Sequence, residues 1–107
     1  MARMPRINSR QKGAAAEREL ANYLKARGWD SRRGQQFSGG KDSPDVVSEL
    51  PYHIECKRVE SGNLYNWLDQ AKRDAEKGTK PPLVIHRRNG KEWVAIMPLD
   101  ELLKIIW

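Results

Sequence analysis

The spacing of apolar residues predicts a helix near the start of the chain and strands after it. Leu20 and Leu24 recur one helical turn apart behind three alanines, and Gly28 stands where such a helix would stop. We therefore expect a helix over 12–27. The short segments that follow are typical of strands. Three strands are predicted, over 29–33, 45–49 and 53–59.

In the second half of the chain, helical spacing of apolar residues is again followed by segments typical of strands. Apolar residues return at helical spacing over 63–77, and Gly78 is positioned to end that helix. Asn89 and Gly90 form a strong signal for a tight hairpin turn. The two strands that this turn would join cover 83–88 and 91–97.

The last apolar segment, 99–107, is expected to be a short helix packed on the sheet. The predicted order is therefore α-β-β-β-α-β-β-α, an α/β fold in which helices flank a mixed five-stranded sheet. A right-handed crossover through the second helix would make the fourth strand parallel to the third. A length of 107 residues suits one ordinary domain, so we expect a single domain over 1–107.

A long polar stretch, 34–44, separates the first two predicted strands. Gly39 and Gly40 lie at its centre, so we expect a loop. Ordered loops of this length in a compact domain tend to be functional, and this one is a candidate for substrate contact.

The charge of the chain indicates a phosphate-binding surface. Lys and Arg number 20 against 14 Asp and Glu, which gives a formal net charge of +6 and a pI near 9.7. Every charged residue before Glu17 is basic, so we expect a basic N-terminal arm over 1–11. The alternative is a soluble protein that is merely basic. The arm and the residue after it contribute Arg3, Arg6, Arg10 and Lys12.

The single cysteine, Cys56, excludes an internal disulfide and a multi-cysteine zinc site. An intracellular, reducing environment is then the default. No apolar run approaches the roughly 18 residues of a membrane span, and no signal peptide is evident. We expect a protein of the cytoplasm or nucleoid, or of the host cytoplasm if the chain is viral, with no membrane partner.

Two acidic residues and a lysine form the most informative pattern. Asp45 follows Pro44, and Glu55 and Lys57 share one face of a predicted strand because alternate residues point the same way. A turn near residues 50 and 51 would place Asp45 opposite residues 55–57. Taken singly, Asp45 is explained as a turn residue, and Glu55 with Lys57 as an exposed ion pair. Together they indicate a site.

Such a cluster suits metal-assisted chemistry. Carboxylates on rigid strands hold Mg²⁺ or Mn²⁺ through hard oxygen ligands. Lys57 would orient or deprotonate the attacking water, or offset charge on phosphate oxygens. Cys56 would point into the core while its backbone carbonyl reaches the metal. Glu17 lies on the apolar stripe of the first helix, which suits either a metal ligand or a first-turn acid that complements the helix dipole.

Five blocks of residues resemble, in order and at compatible spacing, the archaeal-type Holliday junction resolvases of the PD-(D/E)XK nuclease superfamily. The similarity spans nearly the whole chain. The blocks are Lys12-Gly13-x-x-x-Glu17-Arg18-Glu19-Leu20, Ser38-Gly39-Gly40, Pro44-Asp45-Val46-Val47, Ile54-Glu55-Cys56-Lys57 and Gln70.

The resemblance implies a restriction-endonuclease-like fold and a homodimeric, Mg²⁺-dependent nuclease that nicks two opposed strands of a four-way DNA junction. It makes Glu17, Asp45 and Glu55 the acidic metal site and Lys57 the catalytic lysine. Gln70 would line the site, although a solvated helix residue is the alternative. The loop of small residues beside the scissile phosphate would be Ser38, Gly39 and Gly40.

Further DNA contacts are expected from basic residues outside the arm, although each alone is also explained as solvated surface. They are Arg32, Arg33, Lys41, Lys72 and Arg73. Trp29 and Trp93 are expected in the core, and Trp67 and Trp107 at an interface.

Two other functions fit the same residues. One is a PD-(D/E)XK nuclease that acts on other branched or single-stranded DNA, and the other is a basic DNA-binding module without catalysis. No small-molecule cofactor is expected in any of these cases. Discrimination between a junction and linear duplex DNA, measured at a stated salt concentration, would separate a resolvase from a general nuclease.

Overall fold

The computed structural model describes residues 9–34 and 43–106, with side chains from residue 13 onward. The eight elements follow the predicted order. They are α1 (Ser9–Ala26), β1 (Ser31–Arg33), β2 (Val46–Ser48), β3 (His53–Arg58), α2 (Leu64–Ala75), β4 (Pro82–Arg87), β5 (Val94–Ile96) and α3 (Leu99–Ile106).

The five strands form one mixed sheet in the order β1-β2-β3-β4-β5. β3 and β4 are parallel, and the other neighbouring pairs are antiparallel. The parallel pair is the one that α2 connects, so the predicted crossover is confirmed.

The two faces of the sheet carry different helices because strand residues alternate in direction. α1 contacts β1, β2 and β3, whereas α2 contacts β3 and β4. On the α1 face lies an apolar core, and on the other face the buried apolar residues include Val84 of β4 and Ala71 and Ala75 of α2. The core cluster under α1 consists of Leu20, Ala21, Leu24, Val46, Ile54, Leu83 and Ile85.

Local contacts determine where α2 begins and ends. The Asn63 side chain accepts a hydrogen bond from the Asn66 backbone N–H at 3.1 Å, which satisfies one free donor of the first turn. At the other end, the Gly78 N–H donates to the Ala75 carbonyl at 3.0 Å. The predicted stop at Gly78 is therefore near the observed one.

Several predicted boundaries were wrong by a few residues. α1 begins at Ser9, three residues before the predicted start of the first helix at residue 12. β1 begins at Ser31 and leaves Trp29 45% exposed, which corrects its prediction as a core residue. Trp93, in contrast, packs against the core as predicted. β5 has only three residues, and Gly90 adopts a positive φ of 72° in the turn before it.

The prediction that the last helix packs on the sheet was also wrong. None of the eight residues of α3 is buried, although five of them are Leu or Ile. A helical apolar pattern shows that a helix has an apolar side, and it does not show what covers that side. Within the described ranges, no helix has both the length and the apolarity needed to cross a membrane.

Ion pairs join α1 to the middle of the sheet. The Glu19 carboxylate pairs with Arg58 of β3 at 3.5 Å and with Arg87 of β4. These partly exposed contacts fix the orientation of α1 across the parallel strand pair, and they stabilise less than the apolar packing beside them.

A close approach of the backbone links β1 to the segment before β2. The Gly34 N–H donates to the Asp45 carbonyl at 2.8 Å, and a Cβ on Gly34 would overlap the Pro44 carbonyl oxygen. We predict that Gly34→Ala destabilises the fold by about 1–3 kcal/mol, because the backbone around Asp45 must move. The free energy of unfolding in urea measures the effect.

A matched glycine in α1 provides the control. A Cβ on Gly13 would meet nothing within 4 Å, so Gly13→Ala should stabilise α1 by up to about 1 kcal/mol. Equal stability of Gly34→Ala and the wild type would show that the Pro44 backbone yields without cost.

Candidate active site

The β2–β3 hairpin brings Asp45 opposite Glu55. Val46 pairs with Ile54, and the Asp45 N–H donates to the Ile54 carbonyl at 2.9 Å. The Asp45 side chain is fixed as well, since its Oδ2 accepts a hydrogen bond from the Cys56 N–H at 2.8 Å. The predicted register, with Asp45 opposite residues 55–57, agrees with this geometry.

Glu55 is a buried carboxyl group, 6% exposed, in an acidic environment. It hydrogen-bonds with Asp45 and with Asp74 of α2, and its Oε1 lies 3.0 Å from Nε2 of His53. Burial, the negative charge and hydrogen bond of Asp45, and then those of Asp74, raise the pKa of Glu55 to about 10. At neutral pH the metal-free protein therefore keeps a proton on this group.

Lys57 lies on the same face of β3 as Glu55, as the alternation requires. Its Nζ donates to Oε1 of Gln70 at 3.3 Å. Gln70 and Asp74 are one helical turn apart on α2, so this helix places an amide beside the lysine and a carboxylate beside Glu55.

Glu17 is held by Arg33, which is one of the predicted DNA contacts. Its Oε2 forms an ion pair with Nε of Arg33 at 2.7 Å. Burial raises the pKa of Glu17, the hydrogen bond from Arg33 lowers it, and the charge of Asp45 raises it again, with a net upward shift. Asp45 thus lies close enough to influence both Glu17 and Glu55.

The side chains of the three predicted metal ligands, Glu17, Asp45 and Glu55, are not arranged as a complete metal site. Within residues 9–34 and 43–106, no three His, Cys, Asp or Glu side chains are arranged to hold an ion. Glu17 is paired with Arg33, and Glu55 contacts Asp74 and His53. The Asp45–Glu55 pair nevertheless fits a hard divalent cation, since two adjacent carboxyl groups, one buried and one half-buried, need either a proton or a cation between them.

Cys56 packs against the apolar core, as predicted from the alternation of β3. Burial, followed by the negative charge of Asp45, raises the pKa of its thiol to about 12. A thiol that stays protonated is neither a nucleophile nor a thiolate metal ligand. Only its backbone carbonyl remains available to a metal.

Sequence reasoning missed two residues of this site, His53 and Asp74. The signal for His53 was present, because it precedes Glu55 by two residues in a strand and must share its face. Asp74 follows Gln70 by four residues on a helix, so the predicted position of Gln70 would have indicated it.

The predicted DNA contacts on α2 point in different directions. Lys72 and Arg73 are both exposed. Each residue of a helix turns by about 100°, so Lys72 lies about 200° from Gln70, on the opposite side of α2, whereas Arg73 lies about 60° from Gln70. Arg32 is exposed on β1 beside Val47 of β2. The remaining predicted contacts, or their side chains, lie outside the described residues: Arg3, Arg6, Arg10, Lys12, Ser38, Gly39, Gly40 and Lys41.

The raised pKa of Glu55 predicts a pH-dependent stability of the metal-free protein. Its folded pKa lies above the ordinary value of 4.5, so its contribution is fully present below about pH 4.5 and is lost as pH rises towards 10. We expect Glu55→Gln, whose amide can donate to Asp45 and Asp74, to raise the melting temperature at pH 8. Each 1 kcal/mol gained in the free energy of unfolding should raise the melting temperature by roughly 4–8 °C.

The gain from Glu55→Gln should shrink at pH 4, where the wild-type carboxyl group is largely protonated in the unfolded state as well as in the folded one. Glu92→Gln, at an exposed position, is the matched control and should show no such dependence. Thermal melts in EDTA at both pH values measure the difference, and a Glu55→Gln variant less stable than wild type at pH 8 would contradict the prediction.

Comparisons with known proteins agree with this fold. A solved structure of the Holliday junction resolvase Hjc from the archaeal hyperthermophile Archaeoglobus fulgidus is similar, with a TM-score of 0.58 and 21% identity over 78% of this chain and 73% of that one. This likeness shows a restriction-endonuclease-like fold. Comparison with curated proteins gave no significant match. The family model described as "Phage putative PDDEXK endonuclease" matches residues 8–106, so the chain belongs to this family of PDDEXK nucleases.

Proposed function

We propose that the protein is a Mg²⁺-dependent endonuclease that resolves four-way DNA junctions by paired nicks, with Mn²⁺ able to replace Mg²⁺. The observation that carries the proposal is the contact between Asp45 and the buried Glu55, with Lys57 on the same face of β3. PDDEXK nucleases use divalent metal ions, and this pair of carboxyl groups suits one.

Four groups would hold the metal: the carboxylates of Asp45, Glu55 and Glu17, and the backbone carbonyl of Cys56. Asp45 is oriented in advance by the Cys56 N–H. When bound, the ion would lower the pKa of a water molecule and offset charge on the phosphate oxygens. Glu17 would have to exchange its Arg33 partner for the ion, which would leave Arg33 available to a DNA phosphate.

Lys57 and Gln70 would act next to the metal. The Lys57 ammonium, half-buried on β3, would orient the attacking water and stabilise the charge that develops on the phosphate. Gln70 accepts a hydrogen bond from Lys57 Nζ, so it would restrict the ammonium to the side of the site that faces α2.

The choice of a four-way junction rests on two supports. The fold resembles that of a protein described as a Holliday junction resolvase, and the net charge of +6 suits a surface that binds several phosphates. Paired nicks need two active sites, which a homodimer would provide with one site per chain. The contacts with DNA would come from the basic residues of 1–12, the 35–42 segment, Arg32, Arg33, Lys72 and Arg73.

The direct test is cleavage of a synthetic four-way junction, with linear duplex, flap and single-stranded DNA as competitors at a stated salt concentration. We expect nicks at two opposed positions in Mg²⁺ or Mn²⁺ and none in EDTA. Preference for a flap or a single strand would make the protein a nuclease of another DNA structure. Absence of cleavage on every substrate would leave a DNA-binding module.

The matched variant is Asp45→Asn, which keeps an oxygen to accept from the Cys56 N–H and removes the negative charge. We expect it to bind the junction like wild type and to cut at least about 100-fold more slowly. Asp69→Asn, at an exposed position of α2, is the control and should cut normally. A fully active Asp45→Asn would remove Asp45 from the site.

A further inference from the structure

The helix α3 presents an apolar stripe to solvent. Leu99, Leu103 and Ile106 follow the i, i+4, i+7 spacing of one helix side, and they are 66%, 51% and 70% exposed. Nothing in the described part of the chain buries any residue of α3. An exposed apolar stripe of this kind is typical of a surface that another molecule covers.

The helix is too short to be stable without such a partner. Isolated helices below about 12–15 residues are marginal in water, and α3 has eight residues. Its local support consists of a 3.0 Å ion pair between Lys104 and Glu101 and hydrogen bonds to the Pro98 carbonyl. An ion pair of this spacing contributes only about 0.2–0.5 kcal/mol, so α3 needs packing from outside.

We propose that α3 is the surface through which two copies of this chain associate, with the two α3 helices antiparallel across a two-fold axis. Leu103 would then face Leu103 of the second copy near the axis, and Leu99 would face Ile106. The inference rests on the proposed function in one respect, because paired nicks are the reason for joining two active sites.

The charges on α3 favour a second copy in this orientation. Asp100 and Lys104 are both exposed and lie one turn apart on the same flank of the stripe. In an antiparallel pair, Asp100 of one copy comes level with Lys104 of the other, and the two-fold axis makes this ion pair twice. In a parallel pair the flank that carries Asp100 and Lys104 would lie on opposite sides of the interface in the two copies, so this ion pair would not form, and the helix dipoles would align unfavourably.

The edge strand β5, which is separated from α3 by two residues, extends the surface. A stable interface buries roughly 1,200–2,000 Å² in total, and a helix of eight residues is only about 12 Å long. β5 is the last strand in the sheet order, and its Val94 and Ala95 are exposed. The interface therefore includes β5 together with α3.

Analytical ultracentrifugation of the full chain tests the interface. We expect a species of twice the 12.3 kDa monomer mass at micromolar concentration. Leu103→Glu should raise the dissociation constant at least tenfold, whereas Leu64→Glu, at another exposed leucine, on α2, should not. Circular dichroism would check that both variants fold.

Charge exchange makes the test specific to the antiparallel pair. Asp100→Lys and Lys104→Asp should each weaken association, and the double variant should restore it. A wild type that stays monomeric, as it would if residues 1–8 of the same chain covered α3, overturns the proposal. So does a Leu103→Glu variant that associates like wild type, or a double variant no better than the single ones.

The same samples distinguish this proposal from the proposed function. A dimer that depends on α3 but cuts no DNA would contradict only the nuclease activity on junctions. A monomer that cuts DNA in Mg²⁺ would contradict only the interface.

Discussion

The contact between the Asp45 and Glu55 carboxyl groups constrains everything around it. Two adjacent acidic groups repel each other unless a proton or a cation lies between them, and here the burial of Glu55 together with the charge of Asp45 raises the pKa of Glu55 to about 10. The backbone keeps the pair together, because the Asp45 side chain is fixed by the Cys56 N–H and its main chain by Ile54. The fold thus holds together two groups whose arrangement is unfavourable when both are ionised and no cation lies between them.

The surrounding elements supply the stability that this contact removes. α1 packs an apolar core on one face of the sheet, and its Glu19 pairs with Arg58 and Arg87. On the other face, α2 brings Gln70 and Asp74 to β3, and Ala71 and Ala75 are the buried residues of this helix. The alternation of one strand, β3, therefore separates a stabilising face from a chemical one.

The sequence was sufficient to predict the element order, the parallel crossover and the register of Asp45 against Glu55, because these depend on local periodicity and turn chemistry. It was insufficient for the exposed Trp29, the uncovered α3 and the Glu17–Arg33 ion pair. Each of these depends on which surfaces meet in three dimensions, and the apolar character of a residue does not determine its neighbour. Asp74 has no signal of its own, and only its spacing from Gln70 identifies it.

The most direct test of the metal centre is to measure the binding of Mn²⁺ to the protein without DNA by electron paramagnetic resonance. The account predicts saturable binding that both Asp45→Asn and Glu55→Gln weaken at least tenfold, while Asp69→Asn leaves it unchanged. Binding that persists equally in both site variants, or a wild type that binds no Mn²⁺, would contradict the assignment of these two carboxyl groups as the metal ligands of the nuclease.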